Sequence, residues 1–361
     1  MLRVTLDGLV ACHPEAAGRG LGRYVDALLN DLPRAGVDVT ALLTGDRPLP
    51  ADVRGVEVHR ANPHIRVEWY EHILRVGFDA ARTRPDVFHS PGVDPPAWYR
   101  APWVQTLHDV TPLVFPSDEW GVERFRWRVR GTLMRRAAAV IAISQHTADA
   151  GLRLLGLRPE RLHVIHHGAA DVFAEETAPF VGERPYVLTV SGFGPHKGFA
   201  EAFDVIGRIA DAGFPHDLRV VGDFQGPHAA QVAQLRAAAR RPDRINLEGR
   251  LDDRTLAGRY RGADAVIVTS RYEGFGFPAL EAMTSGAPVV AFDNSSLPEI
   301  IGDGGVLVPD GEVITFTREL TALLSDDAAR RDVGSSGSRR ARQFSRERAA
   351  QQHAEIYASV A

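Results

Sequence analysis

Glu273-Gly274-Phe275-Gly276-Phe277-Pro278-Ala279-Leu280-Glu281 is the stretch on which the reading of this chain turns. Two carboxylates bracket a glycine–aromatic turn, and Pro278 stands where a helix begins. The apolar run 265–270 precedes it, and Ala282-Met283 and Ser285-Gly286 follow. Strand, glycine turn and helix in that order put backbone amides at the carboxyl edge of a sheet, a place that suits anionic ligands. A carboxylate pair repels a bare phosphate, so the two glutamates ask for hydroxyls, as on a sugar or a ribose. The segment points to a nucleotide sugar held at the edge of a parallel sheet.

The rest of the chain repeats that strand–turn–helix rhythm twice. Strand-like runs fall at 2–6, 37–43, 53–59, 86–89, 103–108, 140–144 and 162–166, with helical spacing between several of them. The periodicity lapses over 171–185, which reads as a linker. A second series then has strands at 186–190, 218–221, 245–247, 265–269, 288–292 and 305–308. The sequence therefore predicts an α/β chain of two doubly wound Rossmann-like domains, residues 1–170 and 186–343, facing each other across a cleft. A lone helix over 344–361 has no strand after it.

Composition narrows the function classes. A chain of 361 residues with 44% apolar and 24% charged residues is globular and long enough for about two domains. A net charge of −4 gives no global attraction to nucleic acid, so no nucleic-acid partner is expected. The single cysteine, Cys12, leaves neither a disulfide nor a cysteine cluster for zinc. Asp7 comes too early for a secretory segment, and no apolar run reaches the length of a membrane span, so the sequence reads as cytoplasmic. No Asp-x-Asp triplet and no His/Asp/Glu set with metal spacing occurs, so neither metal nor cofactor is expected.

Of 42 basic residues one alone is lysine, Lys197. It ends the loop Ser191-Gly192-Phe193-Gly194-Pro195-His196-Lys197-Gly198 between the first strand of the second domain and a helix. A compact ammonium on a flexible stem meets a phosphate in a tight loop better than a guanidinium fork does. The glycine pattern alone equally fits an ordinary strand-to-helix turn. Gly18-Arg19-Gly20-Leu21-Gly22 offers a similar glycine surface in the first domain, or a plain tight turn. His108-Asp109, at the end of a strand, suits sugar binding or proton transfer, with a structural pair as the alternative. The arginine-rich stretch from Arg124 to Arg136 reads two ways. It is a peripheral contact at the inner face of a membrane, or a helix burying Phe125, Val129 and Leu133 beneath a solvated arginine face.

These residues resemble glycosyltransferase family 4, the retaining enzymes of GT-B architecture. Glu273 to Glu281 is similar to that family's paired-glutamate motif, and 282–290 continues it. Gly20-Leu21-Gly22-Arg23-Tyr24, 86–91 and Thr106-Leu107-His108-Asp109 resemble N-terminal blocks of its mannosyltransferase-like members. The resemblance implies that Glu273, helped by the backbone amides of Phe275 and Gly276, holds the donor sugar, that Gly274 also lies on the donor, and that Glu281 binds the ribose. It implies that Lys197 neutralises the diphosphate, that Gly20 and Leu21 approach it from the first domain, and that Gly222, Arg250 and Leu251 lie by the base. His108 would stand near the transferred sugar, and the terminal helix would return to the first domain. The implied activity is metal-independent hexosyl transfer from a nucleoside diphosphate sugar, with GDP-mannose favoured, to a glycan or lipid-linked acceptor.

One departure stands out. The family pairs the lysine with an arginine at the position here held by Gly192 or by His196. A sugar-nucleotide epimerase or hydrolase of the same architecture fits the same motifs. So does a silent nucleotide-sugar-binding subunit, which the lost arginine favours.

Overall fold

The structure, a computed structural model, describes residues 1–8, 20–43, 53, 55–60, 69–115, 121–224 and 228–361, with 69–71 as backbone alone. Cys12, His13, Gly18 and Arg19 lie outside the described residues. The chain divides into two units, Met1–His167 with Ser345–Ala361, and Gly168–Phe344.

The first unit contains β1 (Leu2–Asp7), α1 (Gly20–Asp31), β2 (Val37–Leu43), β3 (Val56–Arg60), α2 (Trp69–Arg82), β4 (Val87–Ser90) and β5 (Trp103–Leu107). The short α3 (Thr111–Val114), then α4 (Gly121–Met134), β6 (Ala139–Ala142), α5 (Gln145–Leu155) and β7 (Leu162–Val164) follow. The strands pair in parallel in the order β3-β2-β1-β4-β5-β6-β7. The central strands β4, β5 and β6 are buried throughout, as in Ala139–Ala142, because helices cover both faces of the sheet. Local chemistry sets the helix ends. Ser144 Oγ caps α5 by accepting from Thr147 N at 3.1 Å, and Gly156, in the left-handed region at φ 61°, stops it.

The second unit contains β8 (Tyr186–Val190), α6 (Phe199–Asp211), β9 (Asp217–Val221), α7 (Ala229–Ala238), β10 (Ile245–Glu248), α8 (Asp253–Gly262) and β11 (Ala265–Val268). It continues through α9 (Phe277–Thr284), β12 (Val289–Asp293), α10 (Leu297–Ile301), β13 (Val306–Pro309), α11 (Val313–Leu324) and α12 (Asp327–Ala341). Its parallel order is β10-β9-β8-β11-β12-β13. All thirteen strands read from the sequence are present. The third begins at Val56, three residues later than read.

The last helix, α13 (Arg346–Val360), belongs to the first unit. Arg346 Nε reaches Asp31 at 2.8 Å, and Ile356 and Tyr357 join the core formed by Tyr24, Leu28 and β1. A chain of buried hydrogen bonds runs through this contact, and one carbonyl sets its direction. Ala349 O can only accept, so His353 donates from Nδ1 (2.7 Å) and its Nε2 accepts from Tyr24 OH (2.9 Å). Tyr24 then accepts from Thr106 Oγ1 (2.8 Å), which accepts from His89 Nε2 (2.8 Å), whose Nδ1 accepts from Tyr357 OH (2.6 Å). Burial holds His89 well below its ordinary pKa and takes His353 down to about 4. Both are therefore neutral near pH 7, as the chain requires.

Three sequence readings are corrected here. The stretch 171–185 is no linker, because it packs into the second unit. Phe173 is fully buried, Phe180 N donates to Gly258 O at 2.9 Å, and the Arg259 guanidinium carbon lies 3.5 Å from the Phe180 ring centroid. Phe344 stays with the second unit, edge-on to Phe275 with centroids 6.3 Å apart, and the terminal helix starts after it. On α4 the buried residues are Trp127, Arg130, Gly131 and Met134, while Phe125 is 62% exposed. Arg130 is drawn inward by Asp94 (2.6 Å) and Glu123 (2.8 Å), which turns Phe125 outward.

Candidate functional site

In the second sheet, whose strands are all parallel, the strand order reverses between β8 and β11, the two neighbours from which it runs outward both ways. A doubly wound sheet opens a crevice at the carboxyl ends of such a pair. The loops leaving β8 and β11 there carry Lys197 and Glu273, and Lys197 Nζ donates to Glu273 Oε1 at 2.8 Å. Their side chains are 21% and 12% exposed, so this is a largely desolvated ion pair with one open side. Burial pushes the Glu273 carboxyl up. The Lys197 charge and hydrogen bond, with Ser270 and His196, outweigh that and hold it below the usual carboxylate range.

The β8 loop is built for close approach. Residues 195–197 form a single 3-10 turn, and Gly198 follows in the left-handed region at φ 64°. A Cβ on Gly198 would stand 1.8 Å from Thr269 O, and Thr269 Oγ1 donates back to Gly198 O at 2.8 Å. The loop is therefore seated on the end of β11, and only glycine fits the seat. Across it, Glu273 N donates to Ser295 Oγ and Ser296 Oγ donates to Glu273 O, both at 2.9 Å. Asn294 Nδ2 adds a bond to Ser270 O at 3.0 Å. Sequence reasoning missed Thr269, Ser270, Asn294 and Ser295 as supports. The polar cluster Asn294-Ser295-Ser296 directly after a strand was the available signal.

Gly276, at φ 100°, begins α9, with Phe275 buried against Phe277. Gly274 is half-buried beside them. Glu281 lies beyond the first turn of this helix. It lies one turn deeper on the buried side, 3% exposed, where its Oε2 accepts from Tyr260 OH at 3.0 Å. Gly222 ends β9, where a Cβ would stand 2.1 Å from Ser191 O. Arg250, exposed, and Leu251, half-buried, follow β10. The donor-side candidates of this unit thus share the carboxyl edge of four adjacent strands, β10-β9-β8-β11. The guanidinium of Arg271, a candidate for the missing phosphate charge, lies 3.8 Å from Glu201 and 4.0 Å from Asp310.

The first-unit candidates are placed separately. Gly20 and Leu21 form the first turn of α1 rather than an open loop, and Leu21 packs on the core. His108 follows β5 and donates from Nε2 to Pro91 O at 2.6 Å, with Tyr24 edge-on at 4.9 Å. Asp109 instead accepts from Thr111 N at 2.9 Å and closes the turn into α3. The structure does not join His108 and Asp109 as a proton-transfer pair. Burial lowers the His108 pKa against the opposing effects of Pro91 and Asp109, leaving a neutral ring suited to hydrogen bonding. Among the described residues no group of three His, Cys, Asp or Glu is placed to hold a metal ion.

Two Rossmann-like units, each on a parallel sheet, with the terminal helix on the first, define a GT-B fold. Solved structures agree. Sucrose-phosphate synthase of Thermosynechococcus elongatus superposes with a TM-score of 0.80 at 22% identity, covering 99% of each chain. Anabaena HepE, solved with UDP-glucose, gives 0.77 at 21% identity, covering 99% of this chain and 100% of that one.

The chain belongs to the family-4 glycosyltransferases. Residues 18–171 match the Glycosyltransferase Family 4 model, and residues 173–340 match Glycosyl transferases group 1. The O-antigen chain mannosyltransferase B of Escherichia coli is 30% identical over 70% of this chain and 69% of that protein. The D-inositol 3-phosphate glycosyltransferase 1 of Catenulispora acidiphila is 28% identical over 89% and 74%. The MMP alpha-(1->4)-mannosyltransferase of Mycolicibacterium hassiacum is 29% identical over 57% of this chain, and the match spans 50% of that relative's length.

Proposed function

We propose that this protein moves a hexose from a nucleoside diphosphate sugar to a hydroxyl of a glycan or lipid-linked acceptor, with retention of anomeric configuration. The observation that carries this reading is the Lys197–Glu273 pair at the reversal point of the second sheet. An ammonium beside a carboxylate there divides the labour that a sugar diphosphate requires. Lys197 meets the charge developing on the departing diphosphate, and Glu273 accepts hydrogen bonds from the sugar. Gly222, Arg250 and Leu251 border the base, Glu281 takes the ribose, and neutral His108 with Gly20 and Leu21 serves from the first unit. Because Lys197 supplies the positive charge, we read the transfer as metal-independent, and turnover should survive EDTA.

GDP-mannose is the favoured donor, supported by the two mannosyltransferase relatives. A thermal-shift screen of GDP-mannose, UDP-glucose, ADP-glucose and dTDP-glucose tests this, since a ligand that binds the native state raises the melting temperature. GDP-mannose should give the largest shift and then support transfer to acceptor. A larger shift with UDP-glucose would overturn the choice of base. Donor consumed without acceptor would favour the epimerase or hydrolase, and binding without turnover the silent subunit.

We further propose peripheral contact with an anionic membrane through α4. Among the described residues no helix is long and apolar enough to cross one. Phe125 and Val122 are 62% and 65% exposed, with exposed Arg124 and Arg128 beside them, a pairing suited to an anionic interface. Farther along, Arg135 and Arg136 bond to Leu155 O and Ala97 O, so the contact is confined to the start of the helix. Phosphatidylglycerol-containing vesicles should sediment the protein, and Phe125→Ser with Arg128→Gln should abolish this. Equal sedimentation of wild type and variant would refute the contact.

A further inference from the structure

Glu281 poses a geometric problem for the role given to it. Two neighbouring ribose hydroxyls are best accepted by both oxygens of one carboxylate, so the plane of that carboxylate must be fixed. A glutamate side chain has three rotatable torsions before the carboxylate, and freezing them costs conformational entropy that the ligand would otherwise bear on binding.

Tyr260 supplies a fixing contact. Its hydroxyl donates to Glu281 Oε2 at 3.0 Å, and both residues are buried, Tyr260 completely. The tyrosine is itself held from behind. Its ring meets Phe173 edge-on with centroids 5.9 Å apart. Phe173 O accepts from Ser285 Oγ, just past α9, and from Arg261 Nη2 on α8, both at 3.2 Å. The helix that carries the tyrosine and the helix that carries the glutamate are thus pinned to one buried turn. The phenolic bond takes one acceptor site on Oε2, and an ionised carboxylate offers about four.

We propose that Tyr260 is a positioning residue for nucleotide recognition. It holds the Glu281 carboxylate in the orientation that accepts from the ribose 2′ and 3′ hydroxyls, and the inference rests on the reading that Glu281 takes the ribose. The contribution is one of preorganisation, and it acts on the nucleotide half of the donor, away from the breaking glycosidic bond. Loss of the phenol should therefore raise KM and leave kcat nearly unchanged.

Tyr260→Phe removes the hydroxyl and keeps the ring on Phe173. Binding of GDP and UDP, and of their 2′,3′-dideoxy forms, is measured by calorimetry on wild type, Tyr260→Phe and Glu281→Gln. For the ribonucleotide that wild type binds, Tyr260→Phe should weaken binding by about tenfold, the worth of one hydrogen bond to a charged group. The dideoxy form should bind wild type and Tyr260→Phe alike. An equal loss for both forms means a packing defect and overturns the proposal, as does no loss for either. Glu281→Gln separates the two ideas. If it spares ribonucleotide binding, the ribose role of Glu281 fails. If it weakens ribonucleotide binding selectively and Tyr260→Phe does not, the role of Tyr260 alone fails.

Discussion

Lys197→Ala should lower turnover at saturating donor by about 10²-fold or more, the usual consequence of losing one preorganised group that stabilises developing negative charge. Three features make the loss hard to offset. No other lysine exists in the chain, the neighbouring Arg271 guanidinium lies beside Glu201 and Asp310, and the two positions open to the family arginine are held by Gly192 and His196. The loop is also rigidly seated through Gly198 and Thr269, so another residue does not slide into place. Removing the ammonium leaves Glu273 in a buried site without its main counter-charge, which is a second way to lose activity. The double variant Lys197→Ala/Glu273→Gln tells the two apart. If charge on the leaving diphosphate is what matters, the double variant stays as slow as Lys197→Ala. If the orphaned carboxylate is to blame, the double variant is faster than Lys197→Ala and approaches the turnover of Glu273→Gln alone. Near-wild-type turnover in Lys197→Ala would remove the lysine from the mechanism.

The second large effect is on stability. His353 is buried and neutral, with its pKa taken down to about 4 by burial, against about 6.5 in an unfolded chain. A depressed folded value means that the unfolded state binds the proton first. The contribution of His353 is therefore intact above pH 6.5 and is lost as pH falls from there towards 4. At 1.36 kcal/mol per pKa unit, His353 alone removes about 2–3 kcal/mol by pH 4.5. His89 and His167, also lowered by burial, act in the same direction. His72 is raised by Asp7 despite its burial, so its contribution is complete below 6.5 and adds no slope in this window. The hydrogen-bond chain gives the mechanism, because a proton on His353 Nε2 sets a donor against the Tyr24 hydroxyl that should be donating to it. All five tryptophans lie in the first unit, so their fluorescence reports its unfolding selectively. Between pH 7.5 and 4.5, wild type should lose about 2–3 kcal/mol more stability in urea than His353→Gln. Parallel pH dependence in the two proteins would show that His353 is not held neutral.

The sequence by itself placed all thirteen strands, because a strand of a covered parallel sheet is a short apolar run ended by turn residues, and that signal is local. It also singled out Glu273, Glu281 and Lys197, since a glycine turn before a helix and a lone lysine are visible without any partner. What it did not hold was who meets whom. Lys197 touches Glu273 only because β8 and β11 are neighbours, which strand order decides and spacing does not. Tyr260 was unremarkable until α8 packed beside α9, and Phe125 was open to either face of its helix until Arg130 was drawn to Asp94 and Glu123. Periodicity and turn chemistry act over a few residues and are written along the chain. The partner of a buried polar group is fixed by desolvation, which only the assembled core imposes.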